Sequence, residues 1–344
     1  MLHKLKDHQH IGKLKVAGIV LTVAGIALFA YMVYSVGLNE LIAGIQRFGI
    51  FGFVVILALF FVRIVVRATA WSMSVNEPHY LKLRDTIPAV IIGEATSSIV
   101  PLGILISGTT KALAVRHRVP FVVGLASVAT ENLFYSLTTS LFLIAGAVTF
   151  LSVTVLDETS IWTIGLLIVG IVLLLIFLFL LVIKQWHFAS DLCNTIYDRG
   201  HARGLLENGR HQVRLFEDMI YGFYRRYPRR FLPICGLGTL YHLLGVVEVF
   251  FVLSRLTDAM PSVMSAFLLE SVSRLITILF KLVPLTIGID EAGAKFVGDT
   301  VALAAGVGVT LAIIRKGRIL FWTAVGILFI AKRGLTIEEA EIED

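Results

Sequence analysis

From Thr159 to Ile183 the chain reads TSIWTIGLLIVGIVLLLIFLFLLVI, twenty-five residues without a charge. Roughly twenty apolar residues in a helix span the hydrocarbon of a bilayer. Only a helix, or a closed barrel, satisfies every backbone N–H and C=O there. Val16–Val36 is a second run of this kind, and further apolar runs recur along all 344 residues. Hydrophobic residues make up 57% and charged residues 16%, against about a quarter charged in soluble domains. Mean hydropathy is +0.87. The expected fold is all-α: a polytopic integral membrane helical bundle of about seven or eight spans. One or two re-entrant or broken helices are expected within two similar halves. The expected divisions are a basic N-terminus (1–15), a first membrane half (16–183), a basic loop (184–230), a second half (231–333) and an acidic tail (334–344).

The formal charge is +6 and the pI about 9.3. The basic residues gather beside apolar runs, as in cytoplasmic loops that face anionic lipid, which argues against nucleic acid as a partner. Lys4, Lys6, Lys13 and Lys15 precede the first run, which reads as a retained signal anchor, and RRYPRR (225–230) precedes the run at Phe231–Leu253. Both termini are therefore expected in the cytoplasm of a multi-pass inner-membrane protein. Val213, Phe216, Ile220 and Phe223 form an apolar stripe within the basic loop, as an amphipathic helix on a membrane surface would. Cys193 and Cys235 make no disulfide framework and have no metal-ligand spacing.

Ionisable side chains at membrane depth cost several kcal/mol unless paired or wetted, which makes them candidates for function. The richest stretch is Glu270–Ala294 (ESVSRLITILFKLVPLTIGIDEAGA), which carries Glu270, Arg274, Lys281, Asp290 and Glu291 and is broken at Pro284 and Gly288. Glu270 and Arg274 have the spacing of a helical ion pair. A counterpart in the first half runs from Glu94 through Pro101, Gly103 and Gly108 to Lys111. Broken, charged segments in both halves of a membrane protein point to a midplane transport site. Basic flanks on both sides of Pro88–Lys111 predict a re-entrant hairpin turning near Ser98–Gly103. Glu131, beside Asn132, interrupts another apolar run, as structural partner or as cavity lining. Arg63, Arg67 and Trp71 recur every four residues, on one helix face. They are expected at the interface, the arginines snorkelling to headgroups and Trp71 in the aromatic belt, with a dedicated headgroup-phosphate site as the alternative. Arg315, Lys316 and Arg318 separate Val301–Ile314 from a short run, Ile319–Ala331, with basic flanks on both sides. The substrate-binding set is thus Glu94, Lys111, Glu131, Glu270, Arg274, Glu291 and Arg315.

No nucleotide-binding loop, zinc-protease motif or nucleophile elbow occurs in the sequence. No cofactor and no metal is expected, and the reading leans away from an enzyme. His242 stands alone in a span and reads as a hydrogen-bonded packing residue.

Taken together, FVRIVVRATAW, SIVPLGILISGTTKALAV, the pair Glu131–Asn132, LVPLTIGIDEAGAKFVGD and AAGVGVTLAIIRKGRILFWTAVG resemble the lysylphosphatidylglycerol synthase transmembrane region, or flippase-like domain family, from about Val16 to Ala331. Two departures stand out: Gly108 is followed by Thr109, so no acid role transfers there, and Gly288–Ile289 replaces adjacent glycines. Where this region is joined to a soluble synthase domain, it is implicated in moving aminoacylated phospholipid between leaflets. The resemblance therefore implies a translocase or transporter of an anionic or headgroup-modified lipid. Its partners would be membrane lipids and a separate lipid-modifying enzyme. A membrane-embedded lipid-modifying enzyme using Glu94 or Glu291 as base is the alternative. A scaffold recruiting an envelope-biosynthesis partner through Lys184–Arg230 is another.

Overall fold

The computed structural model describes residues 27–31, 33–99, 103–153, 158–184, 187–198, 203–280, 283–304 and 306–333. The N-terminal basic stretch, most of the first span, Pro101 at the expected hairpin turn, Lys281 and the acidic tail lie outside the described residues. Among the described residues the chain is all-α. The helices are α1 (Ala27–Val36), then α2 (Leu38–Met73), α3 (Leu83–Ile99), α4 (Gly103–Ala114), α5 (Phe121–Val153), α6 (Glu158–Lys184) and α7 (Phe188–Asp198). They continue with α8 (Arg203–Arg226), α9 (Pro228–Leu256), α10 (Val263–Leu279), a 3₁₀ turn (Pro284–Thr286), α11 (Ile289–Thr300) and α12 (Val307–Arg333). Of these, α2, α5 and α9 are long and apolar enough to cross a membrane. At about 1.5 Å per residue, the 27 residues each of α6 and α12 also exceed the hydrocarbon thickness.

The expected interruption at Arg315–Arg318 is absent. α12 runs unbroken through these cations, because carboxylates from α9, α10 and α11 meet them inside the bundle. The break falls instead between α11 and α12, where Ala302 and Gly306 adopt left-handed conformations.

Two halves repeat one plan. α3 and α4 have 17 and 12 residues, and so do α10 and α11. α2 packs on α3 as α9 packs on α10, and α4 on α5 as α11 on α12. The halves also cross over, α12 lying against α3 and α5 against α10, with α2 and α9 together at the centre. α2 and α9 are antiparallel: Arg47 pairs with Asp258, Arg63 with Glu248, and Arg230 donates to the Met73 carbonyl. The repeats are therefore inverted, the arrangement many transporters use.

Local chemistry explains the breaks. Ser262 caps α10 by accepting the Met264 N–H at 3.1 Å. Gly288 takes φ 81° ahead of α11, and the Glu291 carboxylate accepts its N–H at 2.8 Å. Leu285 and Thr286 also have positive φ, which is costly for side-chain-bearing residues and concentrates at functional sites. Apart from the membrane helices, α7 and α8 pack together: Ser190 donates to Glu217, and His187 Nε2 lies 2.8 Å from Asp218 Oδ1.

Apolar packing flanks the ionic centre on two sides. One core gathers Trp71, Leu81, Ile92, Val115 and Val119; the other gathers Ile56, Val249, Leu253, Leu268 and Leu311. Trp71 belongs to the first core, 1% exposed, with Nε1 donating to Ser127 Oγ at 2.9 Å. An interfacial position for it is thereby corrected: α5 supplies a hydroxyl partner that lets the indole bury. Trp71→Phe keeps most of the packing and loses this bond. Denaturant unfolding of the detergent-solubilised protein should show a loss of about 1 kcal/mol; an interfacial tryptophan would show none.

Candidate functional site

Four arginines and two glutamates meet mid-helix where α2, α9, α10 and α12 converge. Arg63 reaches Glu248 at 3.2 Å and Glu270 at 3.3 Å. Arg315 lies 2.6 Å from Glu270, Arg274 lies 3.1 Å from the same carboxylate, and Arg318 pairs with Glu248. Glu248 and Glu270 are fully buried. Four guanidinium charges meet two carboxylates within the cluster, and two more acids, Asp290 and Glu94, stand on the wall beside it. The Nε atoms of Arg63, Arg274 and Arg318 are buried without a hydrogen-bond partner. Buried donors of this kind are rare in folded proteins and call for an explanation. Tyr241 supports the cluster with its ring face, 4.3 Å from the Arg63 guanidinium carbon; Phe60 does the same for Arg318 at 4.2 Å.

These arginines line a cavity of about 170 Å³. Its walls come from both broken segments: Glu94, Ser97 and Ser98 at the end of α3, and Val283, Leu285 and Thr286 at the strained turn before α11. Ser98 and Thr323 close one side, their hydroxyls 3.1 Å apart. Trp322 faces the cavity with an unpartnered Nε1. Asp290 also lines it, held by the Ser273 hydroxyl at 2.8 Å. Glu94 and Arg274 occupy the same position, the twelfth, of the equivalent helices α3 and α10. The repeat therefore presents opposite charges to the cavity from its two halves.

A second ionic group adjoins the first. Arg67 donates to Glu94 at 3.0 Å, Glu131 at 3.2 Å and the Asn132 side-chain oxygen Oδ1 at 3.1 Å, and its guanidinium carbon lies 4.4 Å from the Tyr135 ring centre. Here one cation serves two carboxylates, the reverse of the neighbouring balance. His242 behaves as a packing residue, stacked on Phe142 and 3.0 Å from the Thr139 hydroxyl.

A family model described as "Lysylphosphatidylglycerol synthase TM region" matches residues 15–326. The chain belongs to this family. No curated protein matches it, and no solved structure does. As a member of the lysylphosphatidylglycerol synthase TM region family, it is a multi-pass membrane protein related to lipid handling.

Of the residues expected to bind substrate, the structure brings Glu94, Arg274 and Arg315 to the cavity wall, with Glu270 directly behind. Glu131 sits one helical contact away, on Arg67. Two are placed elsewhere. Lys111 is buried under α3, where a Cβ at Gly93 would come within 2.6 Å of its Cε. Glu291 caps α11 and holds Lys316 at 2.8 Å, a structural duty. The interfacial position of Arg63 and Arg67 is also corrected. Both point inward, Arg63 being 1% exposed, because acids on other helices neutralise them. The expected substrate-binding set leaves out Glu248, Arg318 and Tyr241, and also Asp290, which the sequence marks as an ionisable residue at membrane depth. A lone acid mid-span, as at Glu248, was the available signal. Among the described residues, no group of three His, Cys, Asp or Glu is placed to hold a metal.

Proposed function

We propose that the protein moves a lipid with an anionic, phosphate-bearing headgroup between the leaflets of the inner membrane. The headgroup would pass through the cavity while the acyl chains stay in the bilayer. One observation carries this reading: four guanidinium groups converge on one cavity, and three of them keep an Nε donor without an acceptor. A phosphate offers several oxygen acceptors and negative charge, and arginine recognises it by paired N–H donors. Burying donors that have no acceptor costs stability, so their retention favours a ligand that completes the set. The inverted repeat supports alternating access, each half exposing the same cavity to one face. By the positive-inside rule, the end bearing Arg225, Arg226, Arg229 and Arg230 faces the cytoplasm.

Arg274 is the informative test position. It lines the cavity and has Glu270 as its acid partner, whereas Glu270 keeps Arg315 and Arg63 when Arg274 is removed. In proteoliposomes, Arg274→Gln should slow leaflet exchange of a labelled anionic phospholipid by more than about tenfold, with the melting temperature nearly unchanged. Exchange at the parent rate, in a folded variant, would refute the cavity as the route. Arg274→Lys should recover only part, since an ammonium lacks the planar fork.

A further inference from the structure

The inverted repeat builds a hollow at each end of the bundle, beside the mouth of each helical hairpin. One lies between the α9–α10 and α11–α12 connections, about 780 Å³ in volume. Its charged residues are Glu40, Arg47 and Asp258, with Arg47 already bridged to Asp258. Its counterpart lies between the α2–α3 and α4–α5 connections, about 310 Å³ in volume. Here the furnishing differs. Lys82, Arg84 and Arg118 face it together with His79 and His117, and Asp85 is the single acid. Asp85 is occupied, 3.4 Å from Arg118 and accepting the Lys82 backbone N–H at 3.3 Å. Three cations against one committed carboxylate leave two positive charges in a concave space, while the related hollow at the other end carries a net negative charge of one. The same backbone plan has thus been given anion-binding chemistry at one end only.

The geometry points to a docking site for a phosphate group in this basic hollow, separate from the central cavity and formed by Lys82, Arg84 and Arg118. Exposed Tyr80 and Leu83 flank it, with Lys82 Nζ 6.0 Å from the Tyr80 ring centre. An aromatic and an aliphatic side chain beside a basic pocket suit a headgroup whose chains lie in the adjoining leaflet, and basic pockets between membrane helices take lipid phosphates. Inorganic phosphate shares the recognised chemistry. The site stands apart from the transport reading, because it requires only binding.

The test uses the full chain in neutral detergent, titrated separately with short-chain phosphatidylglycerol and with inorganic phosphate. The variant Lys82→Gln/Arg84→Gln/Arg118→Gln should bind phosphatidylglycerol roughly a hundredfold more weakly, at the usual contribution per basic residue. Arg84→Gln alone, which leaves the Asp85–Arg118 pair intact, should weaken it about fivefold and guards against a folding defect in the triple variant. Arg225→Gln/Arg226→Gln/Arg229→Gln removes the same charge from the same end outside the hollow and should change binding less than about twofold. Loss confined to phosphatidylglycerol identifies a lipid headgroup; equal loss for inorganic phosphate identifies a free phosphate. Equal weakening in the pocket and control variants would overturn the site, leaving only a diffuse positive field. Exchange assays on Arg274→Gln report on the central cavity alone, so either result can fail without the other.

Discussion

Glu248→Gln will destabilise the protein by about 3–5 kcal/mol, the usual cost of stranding a buried charge. Arg318 pairs with Glu248 and has no second carboxylate among the described residues. Arg63 and Arg315 would fall back on Glu270, and Arg318, 4% exposed, would lose its ion-pair partner. Thermal unfolding in detergent should shift down by several degrees. The double variant Glu248→Gln/Arg318→Gln should regain most of the loss, because it removes the stranded charge with its partner. A parent-like melting temperature for the single variant would show that the cluster is wet enough to tolerate imbalance. Glu270→Gln should behave similarly, with Arg274 and Arg315 as the exposed parties.

Gly308→Ala should cost at least about 2 kcal/mol through overpacking. A Cβ at this position would lie 2.7 Å from the Ala294 carbonyl carbon and 3.2 Å from the Lys295 nitrogen. Those are backbone atoms of α11, which cannot rotate aside as a side chain can. α12 would be pushed outward, drawing Lys316 from Glu291 and Arg315 from Glu270. Gly165→Ala is the matched control: its Cβ meets nothing within 4 Å, and alanine in a helix interior gains about 0.5–1 kcal/mol over glycine. Opposite shifts in melting temperature are expected, and equal shifts would place the α11–α12 contact elsewhere than at Gly308.

The sequence made the class of fold and the two broken segments legible, because both rest on local signals: charge-free length, proline and glycine breaks, and ionisable residues in apolar surroundings. The Glu270–Arg274 pair was visible for the same reason, being four residues apart on one helix. What was hidden depends on partners far along the chain. Arg63 reads as a snorkelling residue until Glu248 and Glu270, 185 and 207 residues away, are brought against it. Arg67 needs Glu131, 64 residues away. The same blindness split α12 at cations whose counter-ions lie on other helices. Two similar halves with a shared broken, charged theme were legible, but a residue-by-residue repeat was not, because the halves exchange charge sign, as Glu94 and Arg274 do, and residue identity erases what helix lengths preserve. Glu291 and Lys111 attracted attention as ionisable groups, but a cap and a packed stem satisfy them without a cavity.

One turn of α2 separates Arg63 from Arg67, and the two arginines answer to different halves of the molecule. Arg63 is gripped by α9 and α10, Arg67 by α3 and α5. Both are fixed to the same helical segment of α2, beyond the kink at Gly49, so twisting or sliding that segment cannot slacken one grip while sparing the other. α2 is in this sense a crankshaft: a displacement of its Arg63–Arg67 turn would pull on both halves at once.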